Sequence, residues 1–151
     1  SESVINYGVM KAWQAMHVLS PEGCFPFAKK RNGTVLADGA GVLVLESYEH
    51  AKARGATILA EIAGFGMTSD SKDMVNPDID GPSEAMRLAL EDAALSPSQI
   101  DYVNAHGTAT TINDRNETNA IKKVFGTHAK NLAISSTKSM HGHPLGAGGG
   151  I

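Results

Sequence analysis

Two short apolar runs constrain this chain more than anything else in it. The first, residues 100–105, stops at His106-Gly107-Thr108-Ala109-Thr110; the second, Leu132-Ala133-Ile134, stops at a segment carrying Lys138, His141 and His143. Between them Glu117, Ala120, Ile121, Val124 and Phe125 recur at the spacing of one helical face. Strand, helix, strand points to a layered α/β fold, and in open sheets of that kind ligands bind at the carboxyl ends of the strands. Histidines, a lysine and hydroxyls gathered at two such ends are more than a scaffold needs.

The rest of the chain fits the same scheme. Val4, Val9, Ala12, Trp13, Met16 and Leu19 mark a helix over 4–19, stopped by Pro21-Glu22-Gly23. A polar loop follows at 25–33, then a continuous apolar run at 39–45 that suits a strand buried on both faces. Ser47 caps a short charged helix closed by Gly55. Residues 58–67 read as another strand, with Gly64 and Gly66 signalling a bend or a close backbone approach. After a loop at 68–81, Pro82 takes the first position of a helix faced by Met86, Ala89, Leu90 and Ala93 and ended by Ser96-Pro97. Asp114 and Glu117 match a capping box for the next helix. Glu117 also lies on that helix's apolar face, where a carboxylate wants a buried cation.

Composition narrows the function. A chain of 151 residues, 42% hydrophobic and 19% charged, is globular in type and can build one domain with a real core. A formal net charge of -3, without a basic patch, gives no electrostatic case for nucleic acid. No apolar run approaches the roughly 18 residues of a transmembrane helix. The single cysteine, Cys24, excludes an internal disulfide and fits a reducing, cytoplasmic setting. With no histidine beside it, it reads as a neutral structural thiol. Gly39 and Gly41 precede a strand and do not open a helix after one, so a dinucleotide fingerprint is not supported. The Ser1-Glu2-Ser3 opening and the closing glycine-rich segment suggest a piece of something longer.

The candidate chemistry lies at the two strand ends. His106 either faces a cleft, with Thr108 and Thr110 offering hydroxyls to a polar ligand, or is a strand-end histidine that holds a loop. His143 precedes Pro144, which biases it to extended backbone just outside a helix; the positive end of that helix would lower its pKa and favour a neutral ring. A glycine-rich turn without chemistry is the alternative there. By pattern, Lys138 pairs with Glu117, and such a pair would shape the field around both histidines. His106, His141 and His143 could instead form a metal triad, although a metal leaves the Gly-Thr-x-Thr neighbourhood unexplained.

Several separate motifs, in order, resemble the β-ketoacyl-acyl carrier protein synthases, the condensing enzymes of thiolase-like fold. They are Pro26-Phe27 through Arg31-x-Gly33; Asp38-Gly39-Ala40-Gly41 through Glu46; Asn104-Ala105-His106-Gly107-Thr108-x-Thr110; Asn113-Asp114 through Glu117; and Ser136-Thr137-Lys138-Ser139 through Gly142-His143. The 7–19 helix, Tyr48-Glu49-His50-Ala51 and residues 113–118 look most like the rhizobial nodulation protein E branch.

The resemblance implies a thiolase-like layered α-β-α-β-α fold, present only in part. The end of the N-terminal half would occupy about 1–46 and much of the C-terminal half about 47–151. It also implies an acyltransferase that condenses an acyl thioester with malonyl-acyl carrier protein, in fatty acid or related acyl-chain synthesis. His106 and His143 would be its active-site histidines, Lys138 the family lysine and Glu117 its salt-bridge partner. Thr108 and Thr110 would line the channel for the phosphopantetheine arm, which the acyl carrier protein brings; the chain itself would bind no cofactor. A homodimer is expected of the full-length protein. Cys24 does not match the nucleophile's position, so the nucleophilic cysteine would lie outside the chain, and the fragment alone would be inactive. Ala28, Asn32, Thr34 and Ala37 depart from the family pattern, as do Gly149 and Gly150. The alternatives are a noncatalytic chain-length or scaffold subunit of a synthase pair, and a thiolase-type enzyme acting on coenzyme A thioesters.

Overall fold

The computed structural model describes residues 1–73 and 76–151. Its helices are α1 (Tyr7–Ala15), α2 (Tyr48–Ala53), α3 (Asp80–Asp92), α4 (Thr111–Phe125) and α5 (Lys138–His141). Its strands are β1 (Tyr102–Asn104) and β2 (Ala133–Ser135), which pair in parallel with Val103 opposite Ile134. Parallel neighbours need a crossover, and α4 supplies it, so β1, α4 and β2 form one β-α-β unit. The architecture is mixed α/β, a small open sheet with helices.

The crossover helix is set by its ends and its buried face. Thr110 is extended at the N-cap, and Gly126, at φ 54°, ends the helix where a side chain would be strained. Ala120, Ile121 and Phe125 are buried on the inward face, and α3 packs along the helix. Asp80 of α3 accepts from Lys123 Nζ at 2.6 Å. Across the sheet, the Tyr102 hydroxyl and Ser135 Oγ lie 2.6 Å apart.

Several expected elements differ. The first helix is shorter than 4–19: Asn6 Oδ1 accepts from the Val9 N–H at 3.1 Å to start it, and His17 at φ 56° has left the helix. Pro82 is the third residue of α3, not the first. That helix stops at Asp92, before Ala94 at φ 54° and Ser96-Pro97. Asp114 and Glu117 do not form a capping box, because the helix already starts at Thr111 and both carboxylates reach amides outside it.

Neither upstream strand candidate forms a strand: among the described residues of the two runs only Gly39 pairs, in an isolated bridge to Glu2. Val42, Leu43, Val44 and Leu45 are 89, 67, 79 and 71% exposed. A continuous apolar run becomes a buried strand only where neighbours cover both edges and both faces, and among the described residues, positions 42–45 have no such cover. Residues 58–67 form no strand either, yet the reading of their glycines holds. A Cβ at Gly64 would come within 2.5 Å of Ala89 O, so only glycine lets this segment lie against α3. Of the expected 68–81 loop, residues 74 and 75 lie outside the described residues. No helix among the described residues is long and apolar enough to cross a membrane.

Candidate active site

The end of β1 is shaped by two carboxylates from α4. Glu117 accepts from the His106 N–H at 2.6 Å and from the Gly107 N–H at 2.8 Å, one amide on each oxygen. Asp114, 2% exposed, accepts from the Ala109 N–H at 3.1 Å and from the Phe27 N–H at 2.7 Å. Ala109 and Phe27 have φ of 63° and 61°, a left-handed conformation that costs a non-glycine residue about 1 kcal/mol or more. One buried carboxylate thus holds two strained amides. Arg31 Nε lies 3.6 Å from Asp114 Oδ2, and its guanidinium also donates to Ala28 O and Thr111 O.

Gly107 is fixed from the other side by the second strand end. At φ 45° it brings its backbone against Ser136, whose Oγ donates to Gly107 O at 3.0 Å and to His106 O at 3.2 Å. A Cβ there would also sit 3.1 Å from the Phe27 ring. The hydroxyls of Thr108 and Thr110 lie 2.9 Å apart. Cys24 is buried beneath them, its Sγ 3.9 Å from both Thr108 O and Thr34 Oγ1.

After β2 the chain turns through α5 and Gly142, at φ 77°, to reach His143. The His143 N–H donates to Val35 O at 2.7 Å, and its carbonyl accepts from the Ala37 N–H at 3.1 Å. The backbone is pinned, and the residue is 8% exposed. The sheet therefore brings His106 and His143 together: their ring centroids are 5.4 Å apart, edge to face at 82°. Trp13 of α1 sets its ring 5.9 Å from His143 at 87°.

These surroundings favour the neutral form of both rings. Burial lowers the His143 pKa from 6.5 to about 4, with smaller contributions from the Lys138 and His106 charges. His106 is also lowered, by the protein crowding its inner side and then by Lys138, against the raising effect of Glu117 and Asp114. The direction matches the expectation for His143, but the cause does not. Only a short 3-10 turn, Leu145–Ala147, follows Pro144, and desolvation replaces the helix end.

Lys138 is half-buried at the start of α5, and its own pKa is lowered by burial while Glu117 opposes the shift. The two interact electrostatically but form no ion pair within 4.0 Å among the described residues; the Glu117 oxygens accept from the His106 and Gly107 amides and from Asn113 Nδ2. The three histidines do not assemble as a triad either: no group of histidine, cysteine and carboxylate residues among those described could hold a metal. Asp114 and Ser136 lie within the sequence motifs quoted above, but neither was given a role in the site, and nothing in the sequence pointed to Trp13.

Comparison with known proteins follows the same outline. The family model for the beta-ketoacyl synthase N-terminal domain matches residues 1–51, and that for the C-terminal domain matches residues 59–151. Nodulation protein E of Rhizobium leguminosarum bv. trifolii is 57% identical over 147 residues, covering 97% of this chain and 37% of that protein. The 3-oxoacyl-[acyl-carrier-protein] synthase 2 of Staphylococcus aureus is 46% identical over 158 aligned positions, covering 100% of this chain and 39% of that protein. The structure of a type II PKS acyl-carrier protein in complex with its ketosynthase matches with a TM-score of 0.96 and 41% identity, over 100% of this chain and 39% of that one. A beta-ketoacyl synthase from Burkholderia phymatum STM815 matches with a TM-score of 0.89 and 42% identity, over 99% and 37% of the two chains. The chain thus spans under two fifths of the length of these relatives.

Proposed function

This chain belongs to the beta-ketoacyl synthase family, and from that premise we propose that the full-length protein carrying it condenses an acyl thioester with malonyl-acyl carrier protein. The observation that supports this best is the pair of imidazoles at the two strand ends, 5.4 Å apart and both shifted toward the neutral form. A neutral ring can donate one N–H. Two such donors aimed at one thioester oxygen stabilise negative charge as it develops there.

The sequence of bonds follows. An acyl group passes from its carrier thioester to a cysteine outside this chain, and the carrier leaves with a thiol proton. The malonyl carboxylate then departs as carbon dioxide, and the electron pair of the broken carbon–carbon bond becomes the enolate held by His106 and His143. The enolate carbon attacks the acyl-enzyme carbonyl, the carbon–sulfur bond breaks, and the cysteine leaves as thiolate. The product stays on the carrier as a 3-oxoacyl thioester.

Lys138 and Glu117 act through others in this reading. The Lys138 charge adds to burial, the larger cause, in disfavouring protonation of the two rings, and Glu117 fixes the loop that carries His106. Thr108 and Thr110 line the channel for the phosphopantetheine arm of the carrier, so the chain needs no cofactor of its own. The relative in complex with its acyl-carrier protein supports that partner. The proposal includes a cytoplasmic homodimer, with the boundary between family halves at about residue 46.

Intact mass of the full-length protein after incubation with an acyl-carrier protein substrate tests the reading. An acyl adduct on a cysteine upstream of this segment is expected. Carrier binding without any adduct would overturn the covalent mechanism and favour the noncatalytic subunit.

A further inference from the structure

The backbone of His143 is pinned on both sides, but its ring is not. Among the described residues, Nδ1 is buried without a hydrogen-bond partner, so no protein acceptor there selects the ring's rotamer or tautomer. What remains to hold the imidazole is packing. Two rings supply it, His106 at 5.4 Å and Trp13 at 5.9 Å, each close to perpendicular to His143. Trp13 is the chain's single tryptophan and comes from α1, a helix with no buried residue, yet its ring is turned inward onto the site.

We propose that Trp13 is a positioning residue: its ring holds the His143 imidazole in place and keeps water from it, so that the ring remains a neutral donor. The inference rests on the role proposed for His143. An edge-to-face pair restricts ring rotation and excludes solvent from one side. Desolvation is the largest cause that lowers the His143 pKa, and the Trp13 ring stands 5.9 Å from that imidazole. The charged or titratable groups acting on His143 are Lys138 and His106, and neither is altered by a change at position 13.

The test compares Trp13→Ala, Trp13→Phe and His143→Gln in the full-length protein, with cysteine acylation and condensation measured separately. Trp13→Ala should acylate normally, showing that it folds. Its condensation kcat should fall about tenfold with KM for malonyl-acyl carrier protein nearly unchanged, and the acid limb of its pH profile should move up toward pH 6.5. Trp13→Phe should restore most of the rate and the original profile. An unchanged pH profile in Trp13→Ala would overturn the inference, as would an equal loss in Trp13→Phe. If His143→Gln abolishes condensation while Trp13→Ala behaves as wild type, only the Trp13 inference fails. Condensation retained in His143→Gln would overturn the His143 assignment and this inference with it.

Discussion

Protonating His143 puts a charge on a nearly buried ring that faces Lys138, and the protein resists it. In the unfolded chain the ring titrates near 6.5 and in the fold near 4, so between those values the unfolded state binds more protons. The stability that the neutral ring contributes is fully present above pH 6.5 and is lost as pH falls through about 4. His106, also lowered, acts in the same direction. Denaturant midpoints of the full-length protein should therefore fall from pH 7 to pH 4.5, and less steeply in His143→Gln. A midpoint that rises over this range would contradict the assignment. Gly107 is the other residue whose identity is dictated locally. Its φ of 45° and its contact with Ser136 leave no room for a Cβ, so Gly107→Ala should cost about 2 kcal/mol or more in chemical denaturation.

At the scale of elements, α4 is both crossover and clamp. Asp114→Ala would strand the Phe27 and Ala109 amides and leave Arg31 without its counter-charge. Equilibrium unfolding should show a loss of about 3 kcal/mol or more. Glu117→Gln keeps one acceptor oxygen and should lower condensation more than acylation, because it loosens the His106 loop and leaves the nucleophile untouched. The β-α-β unit was readable because its apolar periods switch cleanly at Thr110 and Gly126. The clamp was not, because residues three apart near a helix start look alike whether they cap that helix or reach a neighbouring loop. The Lys138–Glu117 pairing was read from the pattern and from the family resemblance; in the fold the carboxylate accepts from the backbone amides of His106 and Gly107.

For the molecule as a whole, the runs at 39–45 and 58–67 carry the apolar pattern of strands without forming them. Alternation and apolarity describe what a segment wants to lie against; they do not supply it. In the full-length protein residues 42–45 should be covered, so Val44→Asp should sharply reduce its soluble yield and thermal midpoint. The same change should lower dye binding to hydrophobic surface on the 151-residue chain alone, where Val44 is 79% exposed. Equal effects on both chains would refute the covered strand. The exposed run also has a temporal consequence. Residues 42–45 leave the ribosome well before the sheet at 102–135 exists, and four consecutive apolar, largely β-branched or leucine residues are a template for cross-β association. Overproduction should therefore be limited by what shields this segment during synthesis, and co-expressed holdase chaperones should raise the yield of full-length protein without changing its stability once folded.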